Sequence, residues 1–228
     1  MDNSNSSKKP DASNSWNDIT EKTFFEKLKQ SHGSYNKTKK CISKAFEIVT
    51  ENDNARISEA ISLVEYAIKH CQDDEAALAY AYKAKAEILE FYAHRYYESF
   101  EYYEKWSDLH TNLVGHEFSR VRVLLRAHHL KATKDVIGLY LSLKDQILEL
   151  PSRSYRFWLS VLTSSMYEFD NLMPESIRLA KEALDIYYEY TPTYLQGKIK
   201  KLKSVSDGIN VTKEEVATLE TRIKKANN

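Results

Sequence analysis

Glycine and proline are scarce in this chain, 5 and 4 residues of 228. That scarcity argues against an all-β fold, whose tight turns consume both, and leaves little material for a glycine-rich loop able to cradle a phosphate. Cysteine is scarcer still: Cys41 and Cys71 form no C-x-x-C pair, so a disulfide framework is not expected, and a reducing compartment or buried thiols are. An excess of one charge is also missing. With 33 Lys plus Arg against 33 Asp plus Glu, no global field draws the chain to nucleic acid or to an anionic membrane, and any electrostatic preference has to be local. No apolar run approaches the ~20 residues that span a bilayer, and the opening residues carry no signal-like apolar core. A soluble, cytoplasmic chain without a membrane partner is expected.

What is present is a repeat. The sets Ala60/Val64/Ala67, Ser99/Tyr103/Trp106, Val136/Tyr140/Leu143 and Ser176/Ala180/Ala183 share a 4 and 3 spacing and recur after 39, 37 and 40 residues. They sit on segments with helical apolar spacing, the pattern of stacked helical hairpins in which no hairpin buries its apolar face alone. Four hairpins are expected within 34–191, with helices over 35–51 and 55–70, 76–91 and 95–109, 117–131 and 133–149, and 153–169 and 174–190. Asp73, Asp74 and Glu75 place negative charge at one helix start, and Pro174 sits where a first-turn proline is tolerated. Before the hairpins, residues 1–15 are polar enough to stay disordered, and a first helix falls within 16–33 on Trp16, Ile19, Phe24, Phe25 and Leu28. Beyond them, 192–228 holds a lysine-rich amphipathic stretch (Leu195, Ile199, Leu202, Val205) and a last helix. That helix opens with the capping box Thr212/Glu215 and carries Val216, Leu219, Ile223 and Ala226. Its stripe reads as a cap on the last hairpin, or as a homodimer seam. The fold class expected is all-α, about ten to eleven helices.

The 4 and 3 columns resemble the second helix of a tetratricopeptide repeat, Ala60/Val64/Ala67 most closely. The resemblance covers about 35–190 and implies an α-solenoid that binds protein segments. A second resemblance is to 14-3-3 proteins. Tyr167, Glu168, Asn171, Leu179, Ala180, Lys181, Ala183 and Asp185 are similar to their penultimate hairpin, and Ala81, Tyr82 and Lys83 to the segment carrying their first phosphate-binding lysine. That likeness implies an adaptor for phosphopeptides, with Lys83 and Glu168 carrying over, while Glu90 and Val161 stand where the family has an arginine and an asparagine.

No nucleotide-binding, hydrolase or calcium-loop motif occurs, so neither catalysis nor a cofactor is expected. Seven histidines invite a metal reading, but His128 and His129 point about 100° apart. For these two no Cys or carboxylate lies at i+3 or i+4 to complete a set, and no metal site is expected. Between Phe91 and Trp106 lie eight aromatics. Phe91, Tyr96, Phe100, Tyr103 and Trp106 share a face suited to core packing, whereas Tyr92, Tyr97 and Tyr102 point elsewhere and are candidates for a partner surface. The first helices of the hairpins sum to 12 basic and 6 acidic residues, the second helices to 8 and 13. In hairpin solenoids the first helices line the concave face, so a basic groove is expected. Lys44, Lys83 and Arg120 recur in register along it, with Arg156 one turn short of the next position. Such a row suits an acidic, phosphorylated or carboxylate-bearing peptide; binding of nucleic acid through Lys198–Lys203 is the lesser reading.

Overall fold

The computed structural model describes residues 18–51, 56–109, 114–147, 153–190 and 211–224. They form ten helices in order: α1 (Asp18–Lys29), α2 (Ser34–Glu51), α3 (Ile57–His70), α4 (Glu75–Phe91), α5 (Tyr96–Leu109), α6 (Val114–Ala127), α7 (Lys134–Ile147), α8 (Arg153–Phe169), α9 (Met173–Tyr190) and α10 (Lys213–Lys224). Among the described residues there is no strand. None of their helices is long and apolar enough to cross a membrane. The tail 1–15, Trp16 and the lysine-rich stretch around 195–205 lie outside the described residues.

The chain is all-α, and its helices pack in adjacent pairs: α2 with α3, α4 with α5, α6 with α7, α8 with α9. Neighbouring pairs are joined through α3–α4 and α5–α6, and also through α2–α4 and α6–α8, which skip one helix. All twelve residues of the recurring columns are buried. Small residues in them let helix backbones approach, and where the small residue is serine its hydroxyl bonds the partner helix. Ser99 Oγ donates to Ala86 O at 2.8 Å. Ser164 and Ser176 donate to each other's carbonyl oxygens at 2.6 and 2.8 Å. A leucine at Ala180, fully buried in the last of these columns, is expected to cost about 1–3 kcal/mol by overpacking. The same change at its exposed neighbour Lys181 should stay within about 0.5 kcal/mol. Urea denaturation of Ala180→Leu and Lys181→Leu measures both.

Helix ends follow local chemistry. The Asp74 side chain accepts from Ala77 N at 3.0 Å, capping α4. Thr212 N donates to Glu215 Oε2 at 2.8 Å while Glu215 N donates to Thr212 Oγ1 at 3.2 Å, the reciprocal capping box expected at α10. α6 departs from expectation. It starts at Val114 and stops at Ala127 because His129 and Leu130 take φ of 52° and 59°, which ends the helix with Leu130 N bonded to Leu125 O. His94 after α4 and Asn171 after α8 adopt the same left-handed conformation, and Gly33 does so between α1 and α2. Two of the histidines that suggested a metal thus serve as helix stops, a conformation His and Asn adopt more readily than most residues.

The apolar core is divided. One cluster joins α2, α3 and α4 around Ile42, Ile48, Val64, Ile88 and Leu89. A second joins α6–α10 around Phe118, Leu125, Phe157, Leu162 and Leu219. Between them a small set, Ala79, Ala86, Tyr103, Trp106 and Val123, bridges α4, α5 and α6. Beside this junction Glu90 and Arg126 are buried.

Candidate functional site

The expected row of Lys44, Lys83 and Arg120 is not one surface. Lys83 pairs with Glu87 one turn on at 3.8 Å and lies 5.3 Å from the Trp106 ring. Arg120 holds Glu117 at 2.6 Å and Glu104 at 2.7 Å, with its guanidinium 5.2 Å from the Phe100 ring. Both therefore lean onto α5. Repeat register fixes which residues correspond between hairpins, but the direction of a long side chain is decided by the acids and rings in reach. Lys44 pairs with Glu47 at 2.5 Å and opens into a different space, between α1 and α2. Arg156 is exposed on α8.

Of the three tyrosines expected to face outward, Tyr97 does, at 60 % exposure, with its ring 6.1 Å from that of His128. Tyr92 is half-buried against Phe46, at 6.5 Å. Tyr102 is half-buried too. It accepts from Lys85 Nζ at 2.8 Å, and the Lys85 and Lys105 ammonium groups lie 4.3 and 4.6 Å from its ring. Lys85 is itself buried and ion-pairs with Glu65 of α3 at 2.6 Å, so Tyr102 helps tie α3, α4 and α5 together rather than offering a free face. Glu168 is bound to Arg222 of α10 at 2.8 Å. Val161 is a core residue.

The cleft that contains Lys44 has a volume of about 1130 Å³. Lys27 from α1, His32 from the turn, and Lys39, Lys40 and Lys44 from α2 line it, with Glu47 the one acid and Thr20, Thr23, Ser31, Asn36 and Ser43 supplying neutral polar groups. Lys40 Nζ donates to Ser31 Oγ at 2.7 Å, drawing the turn toward α2. Below it, Phe24, Phe25 and Leu28 anchor α1 on Cys41, Tyr66 and Ala67. The cleft is thus a basic, hydroxyl-rich wall on an apolar floor. Burial pushes the thiol of Cys41, in the packing between α1, α2 and α3, up to about 11, with Cys71 adding to it, so it stays protonated at neutral pH. Among the described residues, no three His, Cys, Asp or Glu side chains stand together to hold a metal ion.

A second concentration of charge is enclosed. Glu90 of α4, fully buried, accepts from Arg122 Nε and Arg126 Nη1 on one oxygen (2.8 and 2.9 Å). Its other oxygen accepts from Arg122 Nη2 and the Tyr103 hydroxyl (2.7 and 2.8 Å). Arg126, also fully buried, passes on to Glu215 of α10 through Nε at 2.7 Å, while the rings of Phe91, Tyr96 and Trp158 surround its guanidinium at 5.2 to 5.4 Å. Burial alone would raise the Glu90 carboxyl; the two guanidinium groups more than offset this and hold it below the ordinary carboxylate value.

This network is legible only weakly in sequence. Arg122 and Arg126 follow Phe118 at successive four-residue steps, putting charge on an apolar stripe, and Glu215 and Arg222 flank Leu219 at four and three residues. The buried face of α10 is Glu215, Leu219 and Arg222, one residue out of phase with the expected stripe, whose Val216 and Ile223 are only half-buried. Compared with known proteins, the chain matches no protein family, and neither a curated protein nor a solved structure is significantly similar to it.

Proposed function

We propose that this chain is a non-catalytic interaction scaffold, a tetratricopeptide-like array of helical hairpins, and that it binds an acidic peptide segment in the cleft between α1 and α2. The cleft carries the reading: four lysines and a histidine against a single glutamate, open to solvent, above the apolar packing of α1 on α2 and α3. Lysine is a flexible point charge that tolerates varied geometry, which suits a carboxylate-rich or phosphorylated strand better than one defined small molecule. The burial of every repeat column supports the array. The groove is thereby moved from the row of first helices to the α1–α2 entrance, with Lys44 common to both.

The test is fluorescence anisotropy with a glutamate-rich peptide, its phosphoserine form and a neutral isostere. The acidic peptide should bind, and 0.5 M salt should weaken it because Lys27, Lys39 and Lys40 are solvent-facing. The Lys39→Glu/Lys40→Glu/Lys44→Glu variant should lose roughly tenfold or more in affinity. A preference for the phosphorylated form of a hundredfold would favour the 14-3-3-like reading, and equal binding of the neutral isostere would remove the cleft from consideration.

A further inference from the structure

α10 is attached in an unusual way for a terminal cap. Its apolar contribution is modest: Leu219 is fully buried, Val216 and Ile223 are half-buried, and Val211 is buried just before the helix. Its seat is set instead by two charged side chains taken out of water. Glu215 receives Arg126 of α6 at 2.7 Å. Arg222, at the other end, donates through Nη1 to Ser164 Oγ and Ser165 Oγ of α8 at 2.9 and 3.2 Å. Through Nη2 it reaches Leu130 O at 2.9 Å and Glu168 at 2.8 Å. A peripheral bond from the Tyr188 hydroxyl of α9 to Glu220, 3.0 Å long, completes the attachment.

Such anchors give register more than affinity. The cost of desolvating each charge offsets most of the attraction between partners, while any helix that lacks the matching groups leaves a buried charge unpaired and is rejected. The fit of α10 is also incomplete. Arg222 Nε is buried without a hydrogen-bond partner among the described residues, and burial lowers the Arg222 guanidinium below its ordinary value despite Glu168. A twelve-residue helix does not persist in water unsupported, so α10 has either this seat or no fold. The receiving face, in contrast, rests on elements packed independently of α10. Arg126 is fixed by Glu90 and three rings, Ser164 by Ser176, and the Leu130 carbonyl by the left-handed turn after α6.

We propose that this face of α6, α8 and α9 is a recognition groove for a short amphipathic helix presenting Glu, Leu and Arg at spacings of four and three. α10 is its resident intramolecular ligand, and a partner protein's helix with the same triad displaces it. The groove is separate from the α1–α2 cleft and does not depend on what binds there. Being tethered, α10 competes at an effective concentration on the order of mM. A free helix therefore binds the intact chain weakly unless the resident helix is loosened.

The probe is a labelled peptide of residues 211–224, titrated against the full-length wild-type chain and a full-length Glu215→Gln/Arg222→Gln variant. The variant should bind the peptide at least about tenfold more tightly than wild type, and a peptide carrying the same two changes should bind neither. Hydrogen exchange on the wild-type chain tests the same point without relying on the variant's folding. Excess unlabelled 211–224 peptide should speed exchange of the α10 amides and leave α4 and α5 unchanged, whereas the doubly changed peptide should have no effect. If α10 exchanges no faster with the peptide than without it, the groove does not accept a second helix and the proposal fails. Equal binding of both peptides to the variant overturns the triad.

Discussion

Glu90→Ala lowers the unfolding free energy by about 3–5 kcal/mol, the range for removing one partner of a buried ionic cluster. The carboxylate is fully buried and satisfies two arginines and a tyrosine at once. Alanine leaves Arg122 without its ion pair, leaves Arg126 with Glu215 alone, and removes the acceptor of the Tyr103 hydroxyl, which keeps only the bond it receives from Arg122 Nη2 at 3.2 Å. Glu90→Gln separates charge from shape: it keeps two acceptor positions' worth of volume but places neutral amide beside two guanidinium groups, and should fall between wild type and alanine. The sign with pH follows from the same contacts. The folded carboxyl lies below its ordinary value of 4.5. The stability it contributes is therefore complete above about pH 4.5 and is lost as the pH falls through the depressed folded value. Urea midpoints from pH 7 down to pH 3 should decline for wild type more steeply than for Glu90→Gln. Parallel curves for the two proteins would mean that Glu90 does not carry the acid sensitivity.

Phe157→Ala is the second large effect, also about 3–5 kcal/mol, but by a different mechanism. Phe157 is fully buried in the second core cluster, edge-on to Trp158 at 5.2 Å and 6.5 Å from Tyr187 of α9. Truncation leaves a cavity between α8 and α9 that rigid neighbours fill only in part. The two sites are linked, since Trp158 touches both Phe157 and the Arg126 guanidinium. Phe157→Ala combined with Arg126→Ala, which removes the other neighbour of Trp158, should depart from additivity by about 0.5 kcal/mol or more, as for residues sharing a partner. Strict additivity in denaturant melts would show that the apolar cluster and the ionic junction fold as independent packings.

Much of this architecture is written locally. Helix starts were legible because Asp74, Thr212 and Glu215 act on amides three residues away or nearer. The packing faces of α3, α5, α7 and α9 were legible because small and apolar residues at a 4 and 3 spacing can only be buried together. The end of α6 was not: nothing in its apolar period announces that His129 and Leu130 turn left-handed. The candidate site was legible in part. Lys44 does line a basic cleft, but the cleft lies against α1, while Lys83 and Arg120 are turned aside by Glu87, Glu104 and the rings of α5. Tyr102 was expected outside and is held inward by two lysines, a contact between residues 17 positions apart in one case.

The sequence by itself determined the all-α fold class, the burial of the recurring columns and the capping box of α10. Each depends on side chains within one or two helical turns, where backbone geometry sets the separation. Only the tertiary structure decided where the charges go. Arg126 meets Glu215 across 89 positions and Arg222 meets the Leu130 carbonyl across 92. A charge on an apolar stripe is stable only if distant helices deliver its partner, and no local period encodes that delivery.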